Sequence, residues 1–177
     1  MPGAGLKVPI WLLGSSLYSA QLAAMLGLPF AFAAHFAPEL LLHALEAYRS
    51  RFAPSAHLEK PYTMICVNVV AADTDRQAQR LFSSHQQAFT QLRRGRPGKL
   101  PPPIDDMGSF WSAEEKALID HQMHYSFVGS PATLRTELDR FLSQAQPDEL
   151  MVNVHVFDQQ ARRRSLALTA EVMLSRA

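Results

Sequence analysis

Between Gly14 and Ala24 the chain reads GSSLYSAQLAA, and here residue types and spacing can do chemistry. The segment stands between an apolar run and a helical pattern. The first N–H groups of a helix have no intrahelical partner, and the helix dipole favours an anion beside them. Ser15, Ser16 and Ser19 add hydroxyl donors without bulk, and Gly14 lets a ligand approach the backbone. Together these residues can cradle a phosphate. They equally make a well-capped helix after a strand, which every α/β protein needs. Two other readings fail. The run GSSLY begins like the tight turn that presents a nucleophilic serine, but Tyr18 stands where its second glycine belongs. The dinucleotide fingerprint Gly-x-Gly-x-x-Gly is absent from the sequence.

Other candidates are weaker. His121 and His124 lie three apart on a predicted helix, without the intervening carboxylate of a zinc protease, so they read as a solvated face and no metal is expected. His155 alternates with Asn153 and Phe157 along a predicted strand and reads as a structural histidine, pointing either inward or outward. Cys66, in mid-strand between Ile65 and Val67, reads as a buried thiol. Arg93, Arg94, Arg96 and Lys99 gather at a helix C-terminus, where cations suit the dipole. Neither they nor Arg162–Arg164 are interleaved with aromatics, so nucleic acid is not an expected partner.

Four apolar runs must position these groups. Val8–Leu13 and Pro29–Ala34 read as short strands, the first buried on both faces; Tyr62–Ala71 is rich in β-branched residues, and Leu150–Phe157 is the last. Tyr18, Leu22, Met25 and Leu26 form one face of a helix that Gly27 closes. Pro38 opens a second helix carrying Leu41, Leu45, Tyr48 and Phe52. Thr74 with Gln77 has the capping-box pattern, before a stripe of Ala78, Leu81, Phe82, His85, Phe89 and Leu92. Gly95–Asp106 is rich in Pro and Gly, and reads as either a lid or a plain surface loop. Ser112 with Glu115, Ser130 with Pro131, and Asp158 start three more helices. Strands alternating with helices imply parallel pairing and right-handed crossovers.

The chain has 177 residues, of which 47% are hydrophobic and 19% charged, enough for one domain with a packed core. Its net charge of +1 gives no electrostatic drive toward nucleic acid or anionic membrane. One cysteine excludes an intrachain disulfide and a cysteine-rich zinc site. Leu22–Leu45 is greasy, but His35, Glu39, His43 and two prolines interrupt it, so it is not a membrane span. Met1–Lys7 lacks the features of a secretory leader, and a cytoplasmic location is expected.

The segment WLLGSSLYSAQLAAMLGLPFAFAAHFAPE resembles the middle of luciferase-like flavin monooxygenases. Tyr125–Ser130 (YSFVGS) with the helix after it, and Asp148–Asp158 (DELMVNVHVFD), resemble that family's C-terminal portion. The resemblance runs from Pro9 to about Met173. It implies an enzyme built on a (β/α) barrel that uses reduced FMN or, in a related branch, the deazaflavin F420; the GSSLYSA segment leans to FMN. Flavin-type members bind oxygen at the flavin and insert one atom into an organic substrate. The implied partners are a small-molecule substrate, O2 and a separate flavin reductase.

An eight-unit barrel typically needs about 250 residues. The resemblance therefore implies an α/β fold that is a partial TIM (β/α) barrel: units five to eight, with parallel strands, helices outside and an insertion after strand seven. The expected organisation is a single half-barrel domain, 1–177, with an insertion or lid at 95–125. Ser16 and Ser19, with the backbone N–H groups of Leu17 and Tyr18, are the implied phosphate ligands, within a cofactor segment that includes Gly14 and Ser15. Leu13 is implied beneath the isoalloxazine. His35 and Phe36 are implied to face the substrate cavity. No catalytic acid or base is evident, as expected where the cofactor carries the chemistry. The first four units, with a basic residue that contacts the phosphate, have no counterpart here, and Met1 followed by an inter-unit loop sequence reads as a truncation. The alternative expectation is a non-catalytic half-barrel that self-associates through its open sheet edges, without flavin turnover.

Overall fold

The computed structural model describes Gly5 and residues 7–175. The readings on Met1–Lys7 therefore lie outside the described residues, except at Gly5 and Lys7. In chain order the elements are β1 (Leu12–Gly14), α1 (Leu17–Leu26), β2 (Phe30–Phe32), a 3₁₀ turn (Pro38–Leu40), α2 (Leu41–Arg51), β3 (Thr63–Ala71), α3 (Asp75–Arg93), α4 (Ala113–Gln122), β4 (Ser126–Gly129), α5 (Pro131–Ala145), β5 (Glu149–Asn153) and α6 (Gln159–Leu174).

All five strands are parallel. β1 pairs with β2, and β2 with the first part of β3, in the register Leu13–Ala31–Met64. β5 pairs with β3 over Met64–Asn68, and β4 with β3 over Asn68–Ala71. The long β3 is thus the organising strand.

Three expected strands are shorter than their apolar runs. Pro9 has no N–H for a ladder, and the first bond of β1 runs from Leu12 N to Pro29 O. Val8 and Ile10 are exposed rather than buried on both faces. β2 is confined between Pro29 and a turn at Ala33–Ala37. β5 ends at Asn153, beyond which Val154 and Val156 pack against residues of α3 and α4. β4 was not expected: a four-residue run with two apolar side chains gives little periodicity, and it is a strand because the second half of β3 lies bare beyond β2.

The main core lies on one face of the sheet. Ile65, Val67, Val69 and Ala71 of β3 meet Ala20, Ala23 and Ala24 of α1, Leu41, Leu45 and Tyr48 of α2, Leu134 and Leu138 of α5, and Leu168 and Val172 of α6. The buried face of α1 is therefore its alanines, not the expected Tyr18–Leu22–Met25–Leu26 stripe: Tyr18 and Met25 are 73% and 70% exposed. Small side chains let α1 pack closely beside α2. Tyr48 is buried, donates its hydroxyl to Leu28 O (2.9 Å) and accepts the Tyr62 N–H (3.1 Å), fastening the entries of β2 and β3.

The alternate side chains face the other way, as the period of two requires. There Met64 and Cys66 are only half-buried, and Leu13 and Met151 are exposed. Only beyond the C-terminal half of β3 is this face covered, by a second cluster in which Val70 and Ala72 meet Ala78, Leu81 and Phe82 of α3 and Ile119 and Met123 of α4.

Candidate functional site at the C-terminal ends of the strands

β1 ends on Gly14, and Ser16 caps α1 with extended backbone (φ −142°, ψ 162°). The cap is reciprocal: Ser19 N donates to Ser16 Oγ (3.3 Å), Ser16 N donates to Ser19 Oγ (3.4 Å), and the Ser19 hydroxyl donates to Ser16 O (2.7 Å). Ser19 is thereby buried and committed to the cap, whereas Ser15 and Ser16 remain half-exposed. A Cβ on Gly14 would lie 2.0 Å from Ser19 Oγ, so the glycine is required by the cap itself.

Among the described hydrogen bonds none uses the Leu17 or Tyr18 N–H, and both residues are exposed. The first turn of α1 carries no acidic residue. By contrast, Asp75 Oδ1 accepts from Ser130 N (2.6 Å) and the Thr133 hydroxyl (2.8 Å) at the start of α5, and those bonds hold its carboxyl below the usual range. The α1 N-terminus thus offers two donors and a dipole without a carboxylate in its first turn, which fits an anionic group.

β2 is paired to β1 through Phe32–Gly14, and Ala33 N donates to Gly14 O (3.0 Å), so the residues after β2 emerge beside this cap. His35 is half-buried, with its N–H on Cys66 O (3.0 Å); Phe36 is 64% exposed. Burial pushes the Cys66 thiol up.

Sequence reasoning passed over two residues and underrated a third. His85, within the apolar stripe of α3, stacks on His155 with ring centroids 4.2 Å apart and meets Phe82 edge-on. A histidine interrupting an otherwise apolar stripe was the available signal. Asn68 is buried on β3; its amide donates to Ser126 Oγ (3.1 Å), and its carbonyl accepts from Asn153 Nδ2 (3.2 Å). Asn153 Nδ2 also lies 2.9 Å from His155 Nε2. Ser126, Asn68, Asn153 and His155 therefore form one hydrogen-bonded chain across β4, β3 and β5. Burial above all, then the neighbouring His155 and His35, push His85 down to about 3; burial and His35 lower His155. Both imidazoles are neutral at pH 7.

Several of the remaining sequence candidates have structural partners. His121 pairs with Glu39 (2.8 Å), and His124 lies edge-on to Tyr125. Arg94 is bidentate on Glu115 (2.7 and 2.8 Å) and stacks over Phe110, tying α3 to α4. Arg164 pairs with Asp73. The 95–106 loop is tethered to α3 by Ser83 with Ile104, Gln87 with Pro102 O, and Arg80 with Asp105.

The parallel β/α sheet thus carries an anion-competent helix start after β1 and a hydrogen-bonded polar chain across β4, β3 and β5. The sequence profile of luciferase-like monooxygenases matches residues 1–149, and the chain belongs to that family. A luciferase-like monooxygenase of Escherichia coli (strain K12) is 56% identical over 172 residues, covering 97% of this chain and 51% of that protein. The crystal structure of apo-MsnO8 matches with a TM-score of 0.78 at 29% identity, covering 97% of this chain and 55% of that one. The oxygenating constituent of 3,6-diketocamphane monooxygenase from Pseudomonas putida, solved with FMN, shares the fold with a TM-score of 0.66 at 20% identity, covering 96% and 49%. The chain spans about half the length of the curated relatives it matches. No helix among the described residues is long and apolar enough to cross a membrane.

Proposed function

We propose that this chain is the C-terminal half-barrel of an FMN-dependent monooxygenase, with β1, β2, β3 and β5 as strands five to eight, acting with O2 on a small organic substrate and supplied with reduced flavin by a separate reductase. The observation that carries the reading is the unpartnered pair of N–H groups at Leu17 and Tyr18, beside the Ser15 and Ser16 hydroxyls and without an acid in the first turn. These groups would hold the flavin phosphate, and Ser19 would hold the cap in shape. FMN is favoured over F420 on the GSSLYSA segment, which resembles that of FMN-type members. When bound, the flavin would supply the oxygen chemistry. The protein's share is to fix the ring over Leu13, to enclose the substrate near His35 and Phe36 with the 95–106 segment as a wall, and to exclude water. Titration of the 177-residue chain with FMN and with riboflavin tests the reading. Tighter binding of FMN supports it; failure to bind FMN, or equal affinity for the two, removes it.

A second reading rests on a separate observation. Leu13 is 67% and Met151 51% exposed on strands that each pair on one side only, and bare apolar edges favour association. The chain would then persist as a self-associated half-barrel without turnover. Light scattering across a concentration series distinguishes the two: a monomer at all concentrations removes this second reading.

A further inference from the structure

A cleft of about 330 Å³ opens between α3 and the 95–106 loop. Phe89, Leu92, Pro97 and Leu100 wall it, and His85 and His155 are its polar groups. The volume is at the lower end of the range for small-molecule sites. Arg93 lies over the Phe89 ring and is engaged by Gln122, and the exposed Arg96 and Lys99 flank the lining residues in sequence without being part of the lining.

Hydrogen bonding fixes which imidazole nitrogens carry protons. Asn153 Nδ2 has two hydrogens, one donated to Asn68 Oδ1 and the other to His155 Nε2. His155 Nε2 is then an acceptor, and the proton of the neutral ring sits on Nδ1. His85 Nδ1 is enclosed and has no partner, whereas its Nε2 is not enclosed. A buried N–H without an acceptor costs more than a proton placed where it can be bonded, so Nε2 carries the proton. His35, with an enclosed and unpartnered Nδ1, follows the same rule.

We propose that His85 Nε2–H and His155 Nδ1–H form a paired donor site at the floor of this cleft for an uncharged, largely apolar organic molecule bearing a hydrogen-bond-accepting oxygen, with Asn153 and Asn68 as positioning residues. This names the substrate class for the function proposed above; it rests on that reading for the reaction and on the cleft alone for the binding. The depressed titration of His85 and His155 agrees with a site built for neutral ligands, because apolar walls oppose desolvation of a charge.

The test uses the 177-residue chain without flavin, so its failure is separable from a failure of FMN binding. Long-range ¹H–¹⁵N spectra at pH 7.5 read the tautomer of each histidine directly. The expected result is Nδ1–H at His155 and Nε2–H at His85 and His35; the reverse tautomer at His155 or His85 overturns the proposal. Cyclohexanone is then titrated against cyclohexanecarboxylate and cyclohexylammonium. Saturable shifts at His85 and His155 with the ketone, at least fivefold tighter than with either ion, support the site. Equal or stronger response to the carboxylate marks an anion site and overturns it, as does an absent response to the ketone. Asn153→Asp, whose carboxylate only accepts, should turn His155 to Nε2–H and weaken ketone binding at least fivefold. An unchanged His155 tautomer in that variant removes the positioning role.

Discussion

Acid should destabilise this chain in part through a single side chain. His85 is neutral in the folded state, with its titration pushed from 6.5 to about 3. The sign follows from proton counting: below 6.5 the unfolded chain binds a proton at His85 that the folded chain does not accept until about pH 3, so stability falls as pH falls through that window. At pH 4.5 the unfolded state is favoured by about 100-fold, or about 2.7 kcal/mol, relative to pH 7.5. His85→Phe keeps a planar ring against Phe82 and His155 and cannot take up a proton. Glu115 and Asp75, whose carboxyls are held low by Arg94 and by Ser130 respectively, also lose stabilising interactions in acid. They do so equally in both proteins and cancel in the difference. Urea unfolding followed by circular dichroism at pH 7.5 and 4.5 should therefore show the parent losing about 2.7 kcal/mol more than the variant. Equal losses would refute the burial of a neutral His85.

Other perturbations probe the cap and the core. Gly14→Ala forces a Cβ against Ser19 Oγ, 2.0 Å away, and should cost about 1–2 kcal/mol in denaturant titration by breaking the capping box. Ser16→Asp should keep the cap, since Asp is an equivalent N-cap residue, yet lower FMN affinity at least tenfold while leaving riboflavin affinity unchanged. Tyr48→Phe strands the Tyr62 N–H and Leu28 carbonyl and should cost about 1–3 kcal/mol, read in the same unfolding assay.

Where the sequence could be read, a local rule carried the reading. Ser112, Ser130 and Asp158 cap the helices expected of them, and one serine of the expected Gly14–Ser16 turn, Ser16, caps α1, because capping depends on residues three apart. Thr74 makes half of its expected box, accepting from Gln77 N. Tyr62–Ala71 announced β3 by its β-branched run. What escaped depends on long-range packing. β4 is a strand only because β3 outruns β2, and no four-residue pattern records that. α1 buries alanines because α2 lies against them, where apolar spacing pointed to Tyr18 and Met25. The Ser126–Asn68–Asn153–His155 chain joins three strands through bonds between residues 58 and 85 apart in sequence; taken singly, each of its members is unremarkable. His85 looked like one member of a helical stripe until the fold set it on His155.

A flavin phosphate held by the start of α1 is the centre of the proposed function. The most direct measurement is a ¹H–¹⁵N spectrum of the chain during titration with FMN, with riboflavin as the control. The Leu17 and Tyr18 amides should show the largest saturable downfield shifts with FMN and stay in place with riboflavin. Amides of Leu17 and Tyr18 that stay unmoved while FMN binds elsewhere, or that respond equally to riboflavin, would contradict it.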